Sequence, residues 1–132
     1  MLAPMTPEEL KERGRRIAEE LFNQGDLSVA DELIDRDYTQ YIAAGRRTVS
    51  GLAAVKDQIV RLRQAFPDLR SHVDEQIAEG DTLVQRLTVR GTHAETGREI
   101  EFDLVDIARV GADGTFVARW SLASLGEEPP CL

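Results

Sequence analysis

Apolar residues recur along this chain with two different periods, and the change between them divides it in two. In the first half the spacing is helical. Leu10, Ile17, Leu21 and Phe22 form one stripe with Ala18 beside it. Ahead of the stripe, Thr6-Pro7-Glu8-Glu9 supplies a cap, a first-turn proline and a capping-box glutamate, and Gly25 stops the helix. A second, short helix is expected with Ser28 as its cap and Val29, Ala30, Leu33 and Ile34 as its apolar side. Residues 38–42 have strand character, and a loop follows them. A third helix starts after Ser50, carries Leu52, Val55, Ile59, Leu62 and Phe66 at helical spacing, and ends at Pro67.

From Arg70 onward the period is two, which predicts four strands: residues 70–77, 81–93, 98–110 and 115–125. No linker or repeat interrupts them. The chain is therefore expected as one domain over residues 1–132, with flexible tails at 1–5 and 127–132.

The turns suggest a register. "IAEGD" and "GADGT" fit a three-residue loop with a left-handed glycine, whereas "HAETGR" fits a two-residue turn. Pairing on that basis sets Ile77 opposite Asp81, Ala94 opposite Gly97 and Gly111 opposite Thr115. Val73, Gln85, Asp106 and Trp120 then share one rung; Leu87, Leu104 and Leu122 the next; Val89, Phe102 and Ser124 the one after. Nearly every large apolar strand residue falls on one face, which a shift of one residue would scatter. The opposite face carries Arg86, Thr88, Arg90, Glu101, Asp103, Arg119 and Ser121. The expected fold class is α+β: about three N-terminal helices packed on a curved antiparallel sheet, a cone with an apolar interior.

Composition changes this picture little and narrows the partners. Of the 132 residues 42% are hydrophobic and 30% charged, which suits a globular domain. The net charge of −8 argues against nucleic acid, because a phosphate-binding surface needs clustered Lys and Arg. Arg13, Arg15 and Arg16 sit among Glu8, Glu9, Glu19 and Glu20 and fit a solvated helix face. No apolar run approaches the roughly 20 residues needed to span a bilayer, and no signal-peptide pattern opens the chain. Cys131 alone offers neither a disulfide nor metal-ligand spacing, and only two His are present. A cytoplasmic protein with no metal and no membrane partner is the simplest expectation.

Few polar residues interrupt the inward row: Gln85, Asp106 and Ser124, with His93 at the rim. An unpaired Asp106 among Leu104, Ala108 and Trp120 would have a raised pKa and could serve as general acid or base. It could equally be a structural carboxylate bonded to a helix, a water or a Tyr hydroxyl. Gln85 fits a neighbour that satisfies it. Trp120 fits a pocket wall able to stack on a flat ligand, with Leu104 and Leu122 beside it. Tyr38 and Tyr41 could each bring a phenol to the cone, or pack at its mouth. Ser124 has no base within reach, so a Ser-His-Asp triad is not expected.

"NQGDLSVADELIDRDYTQY", "AFPDLRSHVDEQIAEGDTLVQRLTVRGTH" and "TGREIEFDLVDIARVGADGTFVARW" resemble the SnoaL-like polyketide cyclases of the NTF2-like superfamily, over residues 17–125. The resemblance implies a cone-shaped α+β barrel, often a homodimer through its outer sheet face. It also implies ring closure by an intramolecular aldol reaction without a cofactor. The family's acid–base Asp, four residues after the last-strand Trp, falls on Ser124, and its assisting His falls on Asp106. Where many relatives carry a His after the first-strand aromatic, this chain has Tyr41. The expected activity is therefore acid–base chemistry on a small hydrophobic, carbonyl-bearing or aromatic substrate. Asp106 would move a proton and Tyr41 or Gln85 would steady an enolate. The alternative is a binding protein that has lost the cyclase acid–base group.

Overall fold

The first helix begins where the sequence places it. In the computed structural model, which describes residues 5–42 and 46–124, Thr6 caps α1 (Pro7–Arg16). Its hydroxyl accepts from the Glu9 amide and the Glu9 carboxylate accepts from the Thr6 amide. The helix continues directly as a π-helical segment, Ile17–Asn23, and Gly25 follows at φ 70°. Arg63 donates to the Phe22 and Asn23 carbonyl oxygens at 2.7 and 2.8 Å, so a cation satisfies that helix end. Helix α2 (Leu27–Leu33) is capped by Asp26 rather than by Ser28. Asp26 accepts from both the amide and the hydroxyl of Ser28. Helix α3 (Leu52–Ala65) turns Val55, Ile59 and Leu62 inward.

Among the described residues there are six strands: β1 (Ile34–Ile42), β2 (Arg47–Ser50), β3 (Arg70–Glu79), β4 (Thr82–Thr92), β5 (Glu99–Val110) and β6 (Phe116–Ala123). They form one sheet in the order β2-β1-β6-β5-β4-β3, with β1 and β6 parallel and every other pair antiparallel. Strand β1 begins at Ile34, which the helical spacing had assigned to α2, and β2 occupies part of the expected loop. The expected tails and Cys131 lie outside the described residues, apart from Met5, which packs against the core.

The β4–β5 register is the expected one: Gln85 opposite Asp106, Leu87 opposite Leu104, Val89 opposite Phe102. The flanking hairpins differ from expectation. Strands β3 and β4 turn in two residues, Gly80-Asp81, so Glu79 faces Thr82. A bulge at Asp74 follows, and Gln76 rather than Val73 faces Gln85. In β5–β6 the turn is as expected, with the Gly111 amide bonded to the Thr115 carbonyl at 2.9 Å. But Val110 pairs with Phe116 while Arg109 pairs with Ala118, so Val117 is an extra residue. Beyond it Asp106 faces Ser121, not Trp120, and Leu104 faces Ala123, not Leu122. Because side chains alternate, one extra residue inverts the strand. Arg119 and Ser121 turn inward; Trp120 and Leu122 turn out.

The three helices pack on the inner face of the sheet. Leu10, Leu21, Leu33, Ile59, Leu83 and Phe116 fill one half of the core, and Leu62, Phe66, Leu87, Val89 and Leu104 the other. Helix α1 rests directly on β4 at Gly14. A Cβ there would lie 2.5 Å from both Gln85 Oε1 and Leu83 Cδ2, so any other residue would have to displace those two side-chain ends. Among the described residues, no helix is long and apolar enough to cross a membrane.

Candidate active site

Between the helices and the inner sheet face lies a cavity of about 60 Å³. Most of its wall is apolar: the π-helical segment contributes Ile17, Ala18, Leu21 and Phe22, and the sheet contributes Leu87 and Leu104 among others. That volume holds a few waters or the core of a small ligand.

One wall is polar. Arg119 lies close to Asp106, with Nε and Nη2 both 2.8 Å from Asp106 Oδ1. Ser121 Oγ donates to the same oxygen at 3.1 Å, and Gln40 Nε2 donates to Ser121 Oγ at 3.4 Å. Among the described residues, all three bonds to the carboxylate therefore go to Oδ1. Asp106, Gln40 and Ser121 are buried, and the Arg119 side chain is 12% exposed. Arg119 is also a neighbour whose charge bears on the buried Tyr38 phenol, and its guanidinium lies 5.8 Å from the centre of the Phe22 ring.

The electrostatics follow from burial. Desolvation alone would lower the Arg119 pKa, but the Asp106 carboxylate and the Tyr38 oxygen outweigh it and hold the group above its usual value. Arg119 is a fixed cation. For Tyr38 burial is the largest influence and pushes the phenol up to about 12, with the Arg119 charge pulling the other way. The phenol stays protonated at neutral pH.

A second polar group ties α1 to the sheet. Gln76 Nε2 donates to Gln85 Oε1 at 2.7 Å and to the Lys11 carbonyl at 2.8 Å, while Arg15 donates to Gln76 Oε1. Gln85 thus lies across the ladder from Asp106, yet its hydrogen bond goes to Gln76.

Of the residues singled out in the sequence, Asp106, Gln85, Tyr38 and Leu104 line the cavity. The others do not. Trp120 stacks on Tyr41 on the outer face, with centroids 5.2 Å apart and planes 10° from parallel, and the Arg109 guanidinium lies 5.2 Å from the Trp120 ring. Leu122 is 56% exposed. Ser124 is exposed, its Oγ accepting from the Asp103 amide at 3.1 Å. His93 closes the β4–β5 turn, Nδ1 accepting from the Glu95 and Thr96 amides, and meets Phe66 edge-on.

The residues missed were Arg119, Ser121 and Gln40. Gln40 shares the parity of Tyr38 and Ile42 and could have been found from that alternation. Arg119 and Ser121 could not, because the bulge that turns them inward has no residue signature of its own. Asp106, which the sequence left open between an unpaired acid–base group and a structural carboxylate, is paired, with Arg119 and Ser121.

This cone, with a polar pair set in an apolar wall, is the NTF2-like α+β architecture. The chain belongs to the SnoaL-like domain family, whose sequence profile matches residues 15–119. Among solved structures it is similar to AclR from Streptomyces galilaeus, a candidate hydroxylase, at 27% identity and a TM-score of 0.77, covering 91% of this chain and 92% of that one. It is similar to IdmH from Streptomyces antibioticus, a candidate polyketide cyclase, at 25% identity and a TM-score of 0.75, covering 87% and 91%. A candidate SnoaL-like polyketide cyclase from Jannaschia sp. CCS1 shares the fold at a TM-score of 0.80 with 18% identity, covering 94% and 92%. No curated protein matches the chain in sequence.

Proposed function

We propose that this chain is a cytoplasmic, cofactor-independent enzyme acting on a small, largely apolar carbonyl compound of polyketide type through an enolate. The observation that carries the proposal is Asp106: a carboxylate on the wall of an apolar cavity whose hydrogen bonds from the described residues all go to Oδ1, so that Oδ2 is the oxygen for substrate. Oδ2 accepts the proton of a C–H bond next to the carbonyl, and the bonding pair passes into the enolate. Return of that proton at another carbon isomerises the substrate. Attack of the enolate on a second carbonyl closes a ring. Stabilising the charge on the oxygen is the demanding part of either route. Of the two groups expected to do so, Tyr41 is turned away and stacked on Trp120, and Gln85 lines the cavity with its oxygen bonded to Gln76. The two likenesses at 25% identity or more, to a candidate hydroxylase and a candidate cyclase, support an enzyme of this type.

The test is product analysis with polyaromatic and linear β-keto substrates, using wild type, Asp106→Asn and Asp106→Glu. The glutamate keeps a negative charge for Arg119 and moves the accepting oxygen by about one methylene. Conversion by wild type and its loss in both variants, with the variants folded, is the expected result. One observation favours a second reading, a binding module: Asp106 Oδ1 is already paired with Arg119 and Ser121, as in a structural carboxylate. Saturable binding without conversion by any of the three proteins would select that reading.

We also propose that a second copy of the chain covers the outer sheet face. Ile77, Val105, Ile107 and Leu122 are exposed there beside Trp120. The same face carries Arg90–Glu101 and Arg86–Glu75 pairs, mixed charges that suit a self-complementary two-fold contact. Light scattering should report a dimer for wild type and a monomer for Leu122→Glu; a wild-type monomer would remove the proposal.

A further inference from the structure

The polar wall also says what kind of oxygen the cavity takes. A phenol has an oxygen that accepts and a proton that donates, whereas a guanidinium only donates. Tyr38 lines the cavity, and toward the neighbouring Arg119 its oxygen can only accept. Its proton is left over, and none of the hydrogen bonds among the described residues uses it. A buried hydroxyl proton on a cavity wall needs an acceptor from whatever enters. The adjacent cation also draws electron density from the phenol oxygen, which strengthens it as a donor.

Charge narrows the occupant further. Asp106 and Arg119 cancel, and burial keeps Tyr38 neutral, so the wall has no spare cation. A carboxylate ligand would lose its hydration in an apolar cavity and meet Asp106 with no counter-ion free to pair with it. A neutral carbonyl meets no such penalty. Its oxygen sits on the Tyr38 proton and its carbon body lies against Phe22 and Leu104.

We propose that Tyr38, backed by Arg119, is the group that seats the ligand's oxygen, and that it selects a neutral ketone or enone and rejects a carboxylate. The inference rests on the cavity being the ligand site, as in the proposed function, but not on turnover. Tyr38 then takes the role expected of Tyr41 or Gln85: the hydrogen bond it makes to a carbonyl strengthens as that oxygen gains enolate charge.

The test uses three small probes of nearly one shape: cyclohexanone, methylenecyclohexane and cyclohexanecarboxylate. Their binding is measured on wild type and on Tyr38→Phe, which keeps the ring and removes only the hydroxyl. In wild type, cyclohexanone should bind about tenfold tighter than methylenecyclohexane, and the carboxylate weakest of the three. In Tyr38→Phe the two neutral probes should bind alike. The 13C carbonyl resonance of cyclohexanone should move downfield on binding to wild type, a readout that holds even if the variant fails to fold. Equal binding of the neutral probes to wild type, an unshifted carbonyl resonance, a preference that survives in Tyr38→Phe, or tightest binding by the carboxylate would each overturn the inference. The two proposals separate cleanly. Ketone preference without turnover of any β-keto substrate removes the enzyme and keeps the seat. Turnover without ketone preference does the reverse. No binding by any probe removes the cavity as a ligand site, and both fall.

Discussion

Strand β5 belongs to two hairpins that use it in opposite ways. Toward β4 its partners alternate as the sequence suggests, apolar side chains inward: Leu104 against Leu87, Phe102 against Val89. Toward β6 the alternation is inverted. The partner strand sends Arg119 and Ser121 into the core and leaves Trp120 and Leu122 outside. The difference is a single residue, Val117. A sheet face can thus gain a buried cation beside its carboxylate without altering the composition of either strand. The first hairpin makes the container and the second makes it polar at one place.

The severest way to break the contrast is to delete Val117. The slip would vanish, Trp120 and Leu122 would turn inward, and Asp106 would lose Arg119 and Ser121 together. The expected result is a loss of more than ~5 kcal/mol, comparable with the whole stability of a small domain, seen as loss of a cooperative thermal transition. A deletion variant that melts like wild type would show that the bulge is not what orients β6. Next comes Arg119→Ala, which leaves Asp106 buried without its counter-charge. Denaturant titration should show a loss of about 3–5 kcal/mol, of which the double variant with Asp106→Ala recovers part.

Alkaline pH probes the same wall more gently. The Tyr38 phenol ionises at about 12 in the folded chain against 10.0 ordinarily. The folded state therefore holds its proton longer than the unfolded one. The stabilisation is fully present below pH 10 and is lost as pH rises from 10 to about 12. The expected size is up to about 3 kcal/mol, and Tyr38→Phe should flatten that part of the stability profile. An unchanged profile would mean that the phenol is not desolvated. The smallest effect falls on the outer face. Trp120→Ala removes a half-buried ring stacked on Tyr41 and should lower monomer stability by about 1 kcal/mol, where an inward Trp would cost about 3–5 kcal/mol.

What could be read from the residues follows the same divide. The capping box at Thr6, the α3 stripe and the β4–β5 register depend on local chemistry and period, and each is present as expected. Asp106 was legible as an inward carboxylate because its neighbours on β5 are apolar. Its partner was not. Arg119 has the pattern of a solvent-facing residue, and only the bulge, set by how β6 must fit between β1 and β5, turns it inward. The same inversion took Trp120, Leu122 and Ser124 out of the site and brought Ser121 in. At the β3–β4 turn, "EGD" is compatible with two loop lengths, and the shorter one formed.

The place of β6 has a consequence for how the chain is made. It is the last strand in sequence and a central one in space, between β1 and β5. Gln40 and Ser121 meet across 81 residues, and no sheet spanning both halves exists until β6 has been synthesised. Until then β1 and β5 each present an open edge, the kind of surface on which strands of different molecules pair. Closure of so distant a pairing is slow relative to the local β4–β5 hairpin. A nascent or C-terminally shortened chain therefore lacks the middle of its sheet rather than its margin until residue 123 is free to dock.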